Sequence, residues 1–261
     1  MLRLLRLFGA IVSLSLRREL AFRANLIFQM LMAAMGIAAG LAALGIVYTQ
    51  THTLGGWSLG EAIVLLGTYE IVSGLLATFI EPNVAWFGEQ VKSGKLDDVL
   101  LKPVSSVFLV SLGSCAPLGL ARVALGVVVL GLGLHALGTV PTPWGVAAWL
   151  VLLAVGVVIT WASRVLLASL ALWAPSVQLD VVYGALWQFG RYPVSVYRQP
   201  LRFVLTDVLP VAFISTVPAL ALTRGAGPAL IVVGLVIGIG AIALVGLVWQ
   251  AGLKRYTSAT S

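Results

Sequence analysis

Apolar runs of about 20 residues recur along this chain, and they constrain its fold before any motif does. A helix of that length matches the roughly 30 Å hydrocarbon core of a bilayer. Backbone in lipid must satisfy its own N–H and C=O groups, which leaves helices or closed barrels as spanning structures. The runs lie at 24–48, 61–80, 110–137, 144–173, 177–190 and 229–250. They make 60% of the 261 residues hydrophobic and leave only 10% charged, far from the balance of a soluble domain. Many of the 28 glycines fall inside them, as expected where helices approach closely without a water-driven force. The pattern predicts an all-α polytopic membrane protein with six transmembrane helices in a single transmembrane domain, 1–261.

Residues 1–22 precede the first run and read as an interfacial amphipathic helix. Arg3, Arg6 and Arg17 recur on one basic stripe, and Leu4, Leu5, Leu7, Phe8 and Ile11 fill the opposite face. The bland alternative is the start of a spanning helix. A small-residue cleavage site is not evident, so the segment is expected to be retained. The net charge of +7 reads as leaflet anchoring rather than nucleic-acid binding. Arg3, Arg6, Arg17, Arg18 and Arg23 fall on the same side as Lys92, Lys95, Lys102, Lys254 and Arg255 if crossings alternate. Loops 49–60 and 138–143 carry no Lys or Arg. The positive-inside bias therefore predicts both termini in the cytoplasm of a plasma or inner membrane.

Residues 191–226 fit neither a loop nor a clean span. A seventh crossing there would place Lys254 and Arg255 outside. The expectation is a re-entrant pair of half-helices dipping from the outer face, broken at Pro210 and Pro218, and packed in the bundle or lining a water-filled path.

Enzyme signatures are missing. Gly88–Lys95 (GEQVKSGK) has five residues between its glycines instead of four, and Leu96 instead of Ser or Thr after its lysine. Asp97-Asp98 lacks a further acidic residue and a second motif. His52 and His135 have no acidic ligands nearby, and a single cysteine, Cys115, forms neither an intrachain disulfide nor a cysteine metal cluster. No catalytic residue, metal or bound cofactor is expected of this chain.

Glu70, Arg122, Arg164 and Asp180 lie within predicted spans, where charge is costly and faces the interior. Two readings stay open. One is structural pairing, Glu70 with Arg122 and Arg164 with Asp180, the latter two alternatively snorkelling to the interface. The other is an ion pathway, which would make the chain a secondary transporter or channel using Glu70 and Asp180.

The densest charge lies in 83–103 and its entry, Glu81–Pro103. Glu81, Glu89, Lys92, Lys95, Asp97, Asp98 and Lys102 stand between two apolar runs. Val91, Leu96, Val99 and Leu100 are expected to form an apolar ridge, and Gly94 and Pro103 to stop short helices. Such a segment suits insertion into a cleft on a cytosolic partner.

Two motifs then carry a resemblance. Glu89, Gly94, Leu96, Asp97, Leu100 and Pro103 spell E-x-x-x-x-G-x-L-D-x-x-L-x-x-P after the second span. Tyr192, Pro193, Arg202, Pro210, Ala212, Phe213, Pro218 and Ala219 form a second pattern before the last span. Together they make the chain resemble the permease subunit of an ABC-2-type exporter over nearly its whole length. The resemblance implies an ATP-driven exporter whose translocation pathway is a dimer, either a homodimer or a heterodimer with a paralogous permease. It implies two cytosolic ABC ATPase subunits as partners, with ATP and Mg bound by them and none by this chain. Glu89, Gly94, Leu96, Asp97, Asp98, Leu100 and Pro103 would form the ATPase-coupling helix. Tyr192, Pro193, Arg202, Pro210, Phe213 and Pro218 would form an extracellular re-entrant gate. Membrane lipid is the remaining partner; nucleic acid is not expected.

Overall fold

The computed structural model of the chain describes residues 2–20, 23–93, 96–97, 101, 105–173, 179–209 and 211–255. Its described residues are helical apart from turns and one isolated bridge, Leu54–Trp57. The long helices are α1 (Leu2–Leu20), α2 (Arg23–Gln50) and α3 (Leu59–Phe79), followed by the shorter α4 (Glu81–Lys92) and α5 (Ser106–Leu112). Then come α6 (Gly119–Leu137), α7 (Pro143–Ser169), α8 (Leu179–Trp187), α9 (Thr216–Thr223) and α10 (Pro228–Arg255). Local chemistry sets the boundaries. Ser58 and Glu61 form a reciprocal capping box at the start of α3. Thr142 accepts from the Gly145 N–H, with Pro143 at the first turn of α7. Gly138, at φ 65°, ends α6 in the left-handed conformation that a side chain would resist.

Among the described residues five helices are long and apolar enough to cross a membrane: α2, α3, α6, α7 and α10. The expected fifth span, at 177–190, is not one of them. The helix described there, α8, has nine residues, about 14 Å, and 174–178 before it lie outside the described residues. A 3-10 turn (Gln188–Arg191) follows, and irregular backbone continues to Val196. The expected third span is also shorter, because 113–118 separates α5 from α6.

α3 is the central helix. Val64, Leu65, Val72 and Leu76 are fully buried along it. Its closest neighbour is α6, and glycine makes that approach possible. Gly60, Gly67 and Gly74 recur every seven residues on α3, and Gly119, Gly126 and Gly133 do so on α6. The helices run antiparallel with these glycines facing. A Cβ added at Gly67 would lie 2.5 Å from the Leu130 amide nitrogen, and one at Gly126 2.8 Å from that of Ile71. Backbones this close gain dispersion contacts that lipid-facing side chains cannot supply.

The two ends of the bundle differ. At one end α4 packs against α7 and Phe87 meets Trp249 of α10, with ring centroids 5.1 Å apart. Phe8 of α1 lies against Phe79 at the same end. The 54–58 turn, the 194–196 turn and Arg224 gather at the other, where Ser195 donates to the Gly55 carbonyl at 2.8 Å.

Candidate functional site

The charged helix α4 turns off α3 at Ile80, which caps both. Two anchors fix the corner. Asn83 is buried, and its Nδ2 donates to the carbonyls of Phe79 (2.7 Å), Ser111 (3.2 Å) and Ser114 (2.8 Å). Its Oδ1 accepts from the Ser114 N–H at 2.7 Å and hydroxyl at 2.9 Å. One side chain thus clamps the α3–α4 corner to the loop between α5 and α6. Glu81, in the first turn of α4, accepts from Arg164 Nη2 of α7 at 2.9 Å. The Arg164 guanidinium in turn lies over Tyr183 (5.3 Å) and Trp187 (5.9 Å) of α8. These two residues tie α4 to α3, the α5–α6 loop, α7 and α8.

Two residues of the expected docking ridge pack inward, and the other two, Val99 and Leu100, lie outside the described residues. Val91 and Leu96 are buried, Leu96 fully, in the same core as Val84, Phe87 and Trp249. An amphipathic helix beside an apolar bundle turns its ridge inward, where burial is more favourable than water. Glu89 and Ala85 face outward instead, and Leu101 is 84% exposed. Asp97 is half-buried; Gly94, Asp98, Leu100 and Pro103 lie outside the described residues.

Glu70, buried midway along α3, accepts from Arg122 Nε at 2.5 Å. Arg191 approaches its other oxygen at 3.9 Å and lies over the Tyr69 ring at 5.5 Å. The ion pair shown for Arg164 is with Glu81 rather than Asp180; the Asp180 side chain lies outside the described residues.

After α8 the chain continues to Val196 at the far end, makes a short turn (Leu201–Phe203) and a π-helical turn (Val204–Val208), and returns inward. At its deepest, the Phe213 carbonyl sits against Gly156, halfway along α7. Ser215 donates to the Gly190 carbonyl, and α9 then rises to Arg224. Non-helical backbone at this depth is tolerable because neighbouring protein satisfies it. Pro193, Phe213 and Pro218 are buried, Tyr192 is half-buried and Arg202 is exposed. Pro218 sits in the first turn of α9, where a missing N–H costs nothing, so it opens a helix instead of breaking one. Pro210 lies outside the described residues.

Arg224 closes this segment. It donates to both Glu61 oxygens (2.6 and 2.9 Å) and to the Gly56 carbonyl (2.6 Å), stacked 5.2 Å from the Trp57 ring. The Glu61 hydrogen bonds raise its pKa further. Nearby, burial pushes the Tyr197 hydroxyl up to about 12 as it donates to the Phe189 carbonyl.

A family model described as ABC-2 family transporter protein matches residues 34–260. No curated protein and no solved structure matches the chain. The chain therefore belongs to the ABC-2 transporter family, as a multi-pass membrane permease.

Proposed function

We propose that this ABC-2 family permease is the membrane half of an ATP-driven exporter, working as a dimer on two cytosolic ATPase subunits that bind ATP and Mg. The observation that carries the reading is the anchoring of α4. A charged helix is held to α3 and the α5–α6 loop by Asn83, and to α7 and α8 by Glu81 and Arg164. A push on its outward face at Glu89, or on exposed Leu101 beyond it, would be passed into the bundle through these two anchors. The 192–224 segment, which returns to the far end, would open outward as a re-entrant gate when two such bundles rock apart. An ion-coupled carrier has less support, because Arg122 occupies the Glu70 carboxylate.

The test is affinity purification of the full chain from native membranes. Leu101→Asp combined with Glu89→Lys should remove the co-purifying ATPase while membrane insertion and thermal stability stay as in the parent. Recovery of the ATPase in normal yield would sink the docking assignment. Asn83→Ala should retain the ATPase yet lose substrate-stimulated hydrolysis, since it loosens the corner and leaves the docking face intact.

A further inference from the structure

A cavity of about 360 Å³ lies between the first half of α2, the middle of α3 and the start of α6. That is the volume of a small-ligand site. One wall is apolar, formed by Phe28, Met32 and Gly36 of α2. Phe28 and Met32 are 64% and 52% exposed, so the cavity opens sideways out of the bundle. Its inner end carries Glu70, Arg122 and Arg191.

These three charges do not balance. Glu70 neutralises Arg122 through the short Nε contact. Arg191 stays at 3.9 Å from the same carboxylate, and its Nε is buried with no hydrogen-bond partner. Among the described side chains lining the cavity the sum is +1. A net charge within a bundle is costly unless something pairs with it. The guanidinium fork suits an oxyanion better than a neutral acceptor.

We propose that this cavity binds an amphiphile bearing a single oxyanion, a carboxylate or phosphate. The head accepts from Arg191 and Arg122, and the tail lies along Phe28 and Met32 towards lipid. Such a ligand supplies the missing negative charge and covers the apolar wall in one step. The consequence, that this is where cargo enters, rests on the permease reading. The test does not, because binding is measured on the purified chain without any ATPase.

The probe is a dansyl-labelled undecanoic acid titrated into the full chain in phosphatidylcholine nanodiscs. Saturable binding is expected for the acid and none for its methyl ester. Arg191→Gln should weaken binding about tenfold or more, the usual effect of losing a charged hydrogen bond. Met32→Trp, at the exposed rim, should block the cavity without touching any charge, which covers the case of Arg191→Gln failing to fold. Adding phosphatidylglycerol to the discs separates the two sources. Displacement of the probe identifies an anionic bilayer lipid as the occupant, and its persistence identifies a free amphiphile. Equal binding of acid and ester, or full binding in Met32→Trp, overturns the site. Leu101→Asp should bind the probe normally, so a lost cavity and a lost coupling face give different results.

Discussion

Glu70 has one close partner for its charge, and that partner lies 52 positions away in sequence. Removing one member of a buried pair leaves the other uncompensated, at a cost of roughly 3–5 kcal/mol. Glu70→Gln should therefore lower the melting temperature in detergent by several degrees, and Glu70→Gln with Arg122→Gln should recover much of the loss. An unchanged melting temperature in the single variant would mean that the pair holds nothing together. This pairing was legible in the sequence, because two costly charges in neighbouring spans have few other places to go. Arg191 was not. It opens the 191–226 stretch read as a re-entrant element, and nothing in the sequence brings it level with Tyr69. The Arg164–Glu81 pair was not legible either. Glu81 looked like part of the solvated segment, whereas it opens α4 within reach of α7.

At the scale of elements, the α3–α6 pair fixes the bundle. Its heptad glycines admit no side chain without displacing backbone, and overpacking at such a contact costs about 1–3 kcal/mol. Gly126→Val should reduce the folded, monodisperse fraction on size-exclusion chromatography. Gly131→Ala on the same helix, where a Cβ meets nothing within 4 Å, should leave it unchanged. Equal behaviour of the two would remove the close approach as a cause of stability. The seven-residue spacing is visible in the sequence, but the register that brings Gly67 to Gly126 and Gly74 to Gly119 is a tertiary fact. Hydropathy also could not separate α8 from a full span. Residues 177–190 are mostly apolar despite Gln178, Asp180 and Gln188, and buried irregular backbone needs the same apolar side chains as a helix in lipid. The inward packing of Val91 and Leu96 reflects the same ambiguity, since an apolar stripe marks a buried face without saying which protein buries it.

At the scale of the molecule, the coupling role depends on which end faces the cytosol. α1, α4 and the last turns of α10 share one end, and they bring Arg17, Glu89 and Lys254 with them. The opposite end presents the 51–57 turn, 194–196 and the Arg224–Glu61 pair. The proposed orientation, argued from the positive-inside bias, puts the first end in the cytoplasm. Cys115 is buried, so Cys115→Ser provides a background for placing single thiols at exposed positions. Thr53→Cys should react with a membrane-impermeant maleimide in intact cells, and Ser93→Cys only after permeabilisation. Ser93 follows α4 directly, so the co-expressed ATPase should slow its labelling further. Labelling of Ser93→Cys from outside would put α4 beyond the reach of any cytosolic motor, and the coupling role would fall with the orientation. The anion cavity would survive that result with its mouth in the other leaflet, because its chemistry depends on Arg191 and Glu70 and not on which side supplies the ligand.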